Sequence, residues 1–337
     1  MFASIPPPPG SELVLGPLRI HIYGLMIALA VLVGVTWARA RYKARGGDPE
    51  DVSNIALWCV PAALIGTRIY HVITDYNSTY CGQPDCPKSL WPDAFKIWQG
   101  GLGIPGGILA GFLVGLWYVK RHKLDLPELM DVAAPVIPLG QAIGRLGNYF
   151  NQELFGRATS LPWALEVEPY ADNGARRFST EFADDTTFHP TFLYEMLWNL
   201  GVVGVLLLLE RRGNLRKGKL FPAYVTLYFT GRMWIEALRI DQAAKIGGLR
   251  WNFVLSIIMI IVGLAWFFWG GVTKRPDEVT STGPASDETA GSVEADPSAE
   301  LEEDGVGEPG PHLEGPRAEV AATDGDEGQA GVGVEPE

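Results

Sequence analysis

The sequence predicts an all-α, polytopic membrane protein with seven transmembrane helices, N-terminus outside and C-terminus cytoplasmic, ending in a disordered acidic tail. Three observations carry that expectation. Apolar stretches near the ~20 residues needed to cross a hydrocarbon core recur along the chain. The connections between them alternate between basic and mixed or acidic. Finally, the net charge of −12 comes from one end: 18 of the 39 acidic residues lie after Arg275, against a single base there, Arg317.

The apolar stretches fall at about 20–38, 52–74, 100–119, 128–146, 190–209, 220–238 and 252–270. Lipid offers backbone amides no partner, so each stretch is expected to satisfy its own as a helix. RARYKAR (39–45), KRHK (120–123), ERRGNLRKGK (210–219) and TKR (273–275) follow the first, third, fifth and seventh. The other connections are mixed or acidic: DYNSTYCGQPDC, EVEPYADNGARRFSTEFADD and RIDQAAKIGG. The positive-inside rule then places the N-terminus outside. The opening MFASIPPPPGSELVLGPLR has no basic n-region, and the run after it is too long for an h-region, so no cleavable signal is expected.

Two parts follow: an integral membrane body over 1–275, and an acidic tail over 276–337 on the cytoplasmic side. The tail has no aromatics and few large aliphatics, too little apolar surface to offset ordering entropy. Of the three cysteines, Cys59 lies in the second span and reads as a small apolar residue. Cys81 and Cys86 share an external loop, where a disulfide is the simplest reading. No metal-ligand spacing is found, and neither a cofactor nor a nucleic-acid partner is expected.

One stretch breaks the apolar pattern. GRLGNYFNQELFGRAT (144–159) follows VAAPVIPLGQAI directly, which sets Arg145 at or inside the outer edge of the fourth span. Arg68, Glu195, Arg232, Glu236 and Arg239 also lie on apolar spans. An arginine near a bilayer centre costs ~2.5–3.5 kcal/mol even on the lenient insertion scale. Arg232 and Glu236, four apart, could neutralise each other as simple glue. For Arg145, Glu153, Glu195, Arg232, Glu236 and Arg239 together, with Asn148, Asn151 and Tyr228, an outward-opening polar cavity is the better account. Arginine forks grip phosphate in two places, so the expected guest is an anionic lipid headgroup. Arg145 and Arg232, from the fourth and sixth spans, are expected to meet at one phosphate.

These residues also carry a family resemblance. GRLGNYFNQELFGR closely resembles the signature of prolipoprotein diacylglyceryl transferases. HIYGL (21–25), IWQGG with a following GG (97–107), HPTFLYE (189–195) and YFTGRMWIEALR (228–239) resemble that family's segments in its order, over about 12–272. The resemblance implies transfer of the diacylglyceryl group of phosphatidylglycerol to the lipobox cysteine thiol of a prolipoprotein. A thioether forms and glycerol 1-phosphate leaves. It also implies a multi-pass protein of the bacterial plasma membrane whose active site faces the outer leaflet.

Carried over by position, Arg145, Asn148, Asn151, Gly156, Glu236, Gly100 and Gly101 fall on substrate-binding positions. Arg232, Tyr228, Tyr23, Glu153 and His189 fall on catalytic ones. In many family members a histidine precedes the paired glycines as the proposed base for the thiol; here Pro105 stands there. Either another group takes the proton, with His189 a candidate, or the arginine field lowers the thiol pKa from its reference of about 8.5. His189, ahead of Pro190, also reads as a helix-start residue, and His21 and His71 as packing residues on their spans. The competing reading is a membrane transporter or binding protein for an anionic lipid or solute, although no internal repeat is visible.

Overall fold

The computed structural model describes residues 4–16, 18–74, 95, 103–171, 174–213, 215–241 and 245–269. Gly100, Gly101, Cys81, Cys86 and the 276–337 tail lie outside these described residues.

Among the described residues the chain is mostly helical. The helices are α1 (Ile22–Ala44), α2 (Pro49–Thr74), α3 (Ile104–Arg121), α4 (Leu126–Phe150), α5 (Thr191–Arg211), α6 (Leu220–Leu238) and α7 (Trp251–Trp269). Each matches one apolar stretch to within a few residues. The main departure is α1, which continues through the basic run to Ala44 instead of ending near 38. The expectation of an all-α fold needs one correction. Among the described residues there are three short antiparallel ladders: Glu12–Leu15 with Leu18–His21 ahead of α1, Leu165–Glu166 with Thr187–Phe188 between α4 and α5, and Lys245–Ile246 with Leu249–Arg250 between α6 and α7. They lie outside the helices, where backbone amides without helical partners pair with one another.

Local signals account for the helix starts. Asp125 caps α4 by accepting from the Glu128 N–H at 3.2 Å, with Pro127 in the first turn. Pro105 lies in the first turn of α3, where a missing N–H costs nothing. The start of α6 is capped from another helix: Asp131 of α4, nearly buried, accepts from Gly218 N–H (2.6 Å) and Leu220 N–H (2.9 Å).

α1 packs against α4, α2 against α3, α4 against α5, and α6 against α7. The α2–α3 pair is so close that a Cβ on Gly66 would lie 2.5 Å from the Gly106 carbonyl oxygen. Such small-residue contact substitutes for hydrophobic driving force between helices in lipid. A core of Ala134, Val202, Leu206, Leu220 and Tyr224 joins α4, α5 and α6. Large apolar side chains such as Ile65, Ile73, Ile108, Phe112 and Phe268 are left exposed along the helices. That is a lipid-facing surface rather than a water-facing one, and the chain is a membrane protein. Among the described residues four helices, α1, α2, α5 and α7, are long and apolar enough by themselves to cross a bilayer.

Polar contacts gather at the two ends of the bundle. At one end Arg41 and Arg45 of α1 hold Glu210 of α5, Arg45 holds Glu128 of α4 at 2.8 Å, and Lys219 donates to the Phe267 carbonyl of α7 at 2.6 Å. The other end brings together the N-termini of α1, α5 and α7 with the C-termini of α4 and α6. There the segment after α4 builds a small cluster of Phe155, Leu165, Val167, Phe178 and Phe188, with Ile5 packed against it.

Candidate active site

The site is built where α4 ends. Asn151 caps α4, its N–H donating to the Gly147 carbonyl at 3.0 Å. Gln152 (φ 50°) and Leu154 (φ 62°) then adopt the left-handed conformation, unusual without glycine and costing roughly 1–2 kcal/mol each. Specific bonds hold it. The Gln152 amide donates to Glu168 Oε2 (3.2 Å) and accepts from the Glu168 N–H (2.7 Å), while the Thr191 hydroxyl donates to the Leu154 carbonyl. Glu153, between the two, is folded back onto α4. Its Oε1 accepts from Asn148 Nδ2 at 2.8 Å and from Asn151 Nδ2 at 3.3 Å. Backbone strain held by side chains in this way is common at functional sites.

Glu195, in the second turn of α5, is the second component. Its side chain is only 6% exposed and takes two arginines from different helices. Oε2 pairs with Arg145 of α4, and Oε1 accepts from Arg232 Nη1 of α6 at 2.8 Å. Arg145 also donates to Asn148 Oδ1 at 3.1 Å, so Asn148 links Arg145 to Glu153.

From Arg232 the charges close into a ring. Arg232 Nη2 lies 2.7 Å from Glu236 Oε2, the i,i+4 pair expected from sequence. Glu236, fully buried, accepts from Arg250 Nε at 2.7 Å and Asn252 Nδ2 at 3.4 Å. Arg250 Nη2 (3.2 Å) and Arg239 Nε (2.7 Å) both reach Asp241, and Arg239 Nη1 returns to within 4.0 Å of Glu195. Three acids and three arginines therefore alternate, formally neutral. Arg145 is attached to this ring as an additional cation. Beyond the helix end, burial opposes the charge on Asp241, yet the Arg239 hydrogen bond and the fields of Arg239 and Arg250 hold its carboxyl below the usual range. Burial likewise opposes the charge on Arg239, but Asp241, Glu236 and Glu195 hold it above its ordinary value.

The remaining sequence candidates take distinct positions. The Tyr23 ring lies on Gly147, where a Cβ would approach it to 2.6 Å. Tyr228 lines a small cleft of ≈ 10 Å³ with Glu195, Asn199 and Arg232. Gly156 is where two segments cross. Its N–H donates to the His189 carbonyl at 2.9 Å, and a Cβ there would lie 2.8 Å from His189 Cβ and 3.2 Å from the Leu238 carbonyl oxygen. The His189 ring pairs with the Tyr194 hydroxyl at 3.1 Å, which in turn accepts from Trp163 Nε1 at 3.0 Å. His21 is not a packing residue on a span. Its exposed ring stands 3.4 Å from Glu12 in the first ladder, because the first helix starts one residue later. Among the described residues no group of three or more His, Cys, Asp or Glu could hold a metal ion.

Arg145 and Arg232 do converge, but across the Glu195 carboxylate. Glu195 was visible as an ionisable residue on an apolar span, while its bridging position was not. Arg250, Asp241 and Asn252 were missed altogether. Arg250 stands directly before the last apolar run, where it reads as the end of a polar loop; only the lone charge at a span border hinted at burial.

Comparison with known proteins bears on this geometry. The family described as prolipoprotein diacylglyceryl transferase matches residues 12–269, which contain every residue of the cluster. A Rhodococcus jostii protein named phosphatidylglycerol--prolipoprotein diacylglyceryl transferase is 42% identical over 293 residues, covering 85% of this chain and 79% of its own. A protein of that name from Corynebacterium glutamicum is 42% identical over 291 residues, covering 85% and 90% respectively. One from Streptomyces coelicolor, named phosphatidylglycerol--prolipoprotein diacylglyceryl transferase 1, is 42% identical over 291 residues, covering 86% and 80%. With matches of this extent running through the whole helical body, the chain belongs to the prolipoprotein diacylglyceryl transferase family.

Proposed function

We propose that the protein transfers the diacylglyceryl group of phosphatidylglycerol to the lipobox cysteine of prolipoproteins, the first step of bacterial lipoprotein maturation. The carrying observation is the convergence of Arg145 and Arg232 on Glu195, at the junction of α4, α5 and α6. The chemistry displaces glycerol 1-phosphate: the thiol sulfur forms a bond to the glyceryl carbon as the carbon–oxygen bond to phosphate breaks. The electron pair of that bond stays on the phosphate oxygen, and the thiol proton passes to a base.

Charge thus develops on the leaving phosphate. Arg145, the cation attached to a neutral ring, and Arg232 are assigned to stabilise it in a water-poor setting where fixed donors act strongly. Tyr23 and Tyr228 donate to phosphate oxygens, Asn148 and Asn151 orient the headgroup side, and Glu236 fixes Arg232. Gly156 allows the close crossing of segments, and Gly100 and Gly101 are assigned to the headgroup side. Glu153 is exposed at the end of α4, its carboxylate oriented by two amides and linked through Asn148 to Arg145, and it is assigned to receive the thiol proton. His189, tied to Tyr194, is better suited to holding the Gly156 crossing than to accepting that proton.

The body over 1–275 is read as crossing the plasma membrane seven times, with N-terminus outside, the site toward the outer leaflet, and 276–337 a disordered acidic cytoplasmic tail. Support comes from alternating basic connections and from helix ends that sort into two polar layers. The direct test uses purified protein in detergent with phosphatidylglycerol. Glycerol 1-phosphate should appear only when a lipobox peptide is added. Release without peptide, or transfer without release, would defeat the reading.

A further inference from the structure

A cavity of ≈ 890 Å³ opens beside the end of α4, bordered by Ile240 and by Asp241 of the ring. It is lined by Asn151 and Glu153 from the end of α4, by Arg177, Ser179 and Glu181 from the connection to α5, and by the aromatic Phe178. Volumes of this size accept a drug-sized ligand, comparable with a few extended residues of polypeptide. Its walls are set before any ligand arrives. Arg177 Nη1 donates to the Asn151 carbonyl at 2.9 Å, and Arg176 donates to the Phe182 carbonyl at 3.2 Å and to Asp184 at 2.8 Å.

The lining excludes several guests. An acyl chain would strip water from arginine and glutamate side chains without replacing their hydrogen bonds, which disfavours it there. A lone phosphate would leave the aromatic lining and most of the volume unused. A polar peptide fits both components, its amides meeting the charged and polar lining and its side chains the aromatic residues. Position adds a connection to chemistry. Glu153 belongs both to the cavity edge and to the cluster at Arg145. A chain whose cysteine sulfur lies at Glu153 therefore continues into the cavity within one or two residues, each spanning ~3.3–3.6 Å.

We propose that this cavity binds the precursor polypeptide immediately downstream of the acceptor cysteine, as a short extended polar segment. The assignment rests on the transferase reading above. It makes the mature end of the substrate a determinant of affinity, separate from the lipid site.

The test compares two synthetic acceptors sharing one apolar lipobox segment and cysteine. One ends a single residue after the cysteine; the other carries about six further polar residues. With the full chain in detergent and phosphatidylglycerol, the longer acceptor should show a KM roughly tenfold lower at similar kcat, a ratio of affinities. Ser179→Trp, at an exposed position on the cavity edge, should abolish that advantage while leaving kcat for the short acceptor unchanged. Glu181→Lys, which adds no bulk, should shift preference toward acidic downstream residues. Equal KM values for the two acceptors on the unsubstituted protein, or an advantage that survives Ser179→Trp together with an unchanged charge preference in Glu181→Lys, would overturn the assignment. Absence of transfer to either acceptor would remove the transferase reading and this assignment with it.

Discussion

Glu195 Oε1 accepts from Arg232 while its other carboxylate oxygen pairs with Arg145, so one buried carboxylate holds two guanidinium groups from two different helices. Neutralising it removes the carboxylate that pairs with Arg145 and one of the two that pair with Arg232, which keeps Glu236. Glu195→Gln is expected to destabilise the protein by about 3–5 kcal/mol, the usual consequence of breaking a buried ion pair from one side. Thermal unfolding in detergent checks this, and a midpoint within a degree of the parent would refute the bridging role.

Gly156 sits where the chain after α4 crosses the start of α5. Since a Cβ would come within 2.8 Å of His189 Cβ and 3.2 Å of a backbone oxygen, neither neighbour can swing away as a flexible side-chain end could. Gly156→Ala is expected to cost about 1–3 kcal/mol of stability by overpacking. Transferase turnover should fall with it, because the Arg157–Leu238 backbone bond that ties α6 to this crossing would shift.

His189→Gln should retain substantial activity, since the ring is paired with Tyr194 rather than placed in the arginine cluster. Glu153→Gln, by contrast, should lower turnover by roughly 10²–10⁴, the range of general acid–base effects. Steady-state rates for the two variants separate the bases directly. A loss of three orders of magnitude in the histidine variant would reverse the assignment.

Asp241 sets an acid limb. Its carboxyl titrates below the ordinary 3.8 in the folded protein, so its contribution to stability is present above the unfolded value and is lost as pH falls through the folded one. The difference in thermal midpoint between the parent and Asp241→Asn should therefore be constant from about pH 5 to 8 and shrink below about pH 4. A difference that changes between pH 6 and 8 would show that another group is responsible.

Much of the helical frame was legible because hydropathy in lipid is a one-dimensional signal. The stretch 220–238 coincides with α6, and the Arg232–Glu236 pair follows from helical spacing alone. The short ladders were not legible: four-residue pairings such as Glu12–Leu15 with Leu18–His21 depend on a turn rather than on periodicity. Nor was the closed ring. Arg250 and Arg239 meet Asp241 only because the connection between α6 and α7 folds back, and no spacing rule reports such a return. Gln152 and Leu154 were hidden for a related reason, since neither residue type advertises a left-handed backbone.

The central claim is that Arg232 stabilises the departing phosphate and is more than a tie between helices. Its loss leaves Glu236 paired with Arg250 and Glu195 paired with Arg145, so neither carboxylate is stranded. The most direct measurement is single-turnover transfer from phosphatidylglycerol to a lipobox peptide by Arg232→Ala and by the double variant with Glu236→Gln, each verified as folded. A phosphate-stabilising role predicts turnover reduced by roughly 10²–10³ in both, the scale of removing one transition-state donor, with lipid affinity little changed. Near-parental turnover in either folded variant would contradict it.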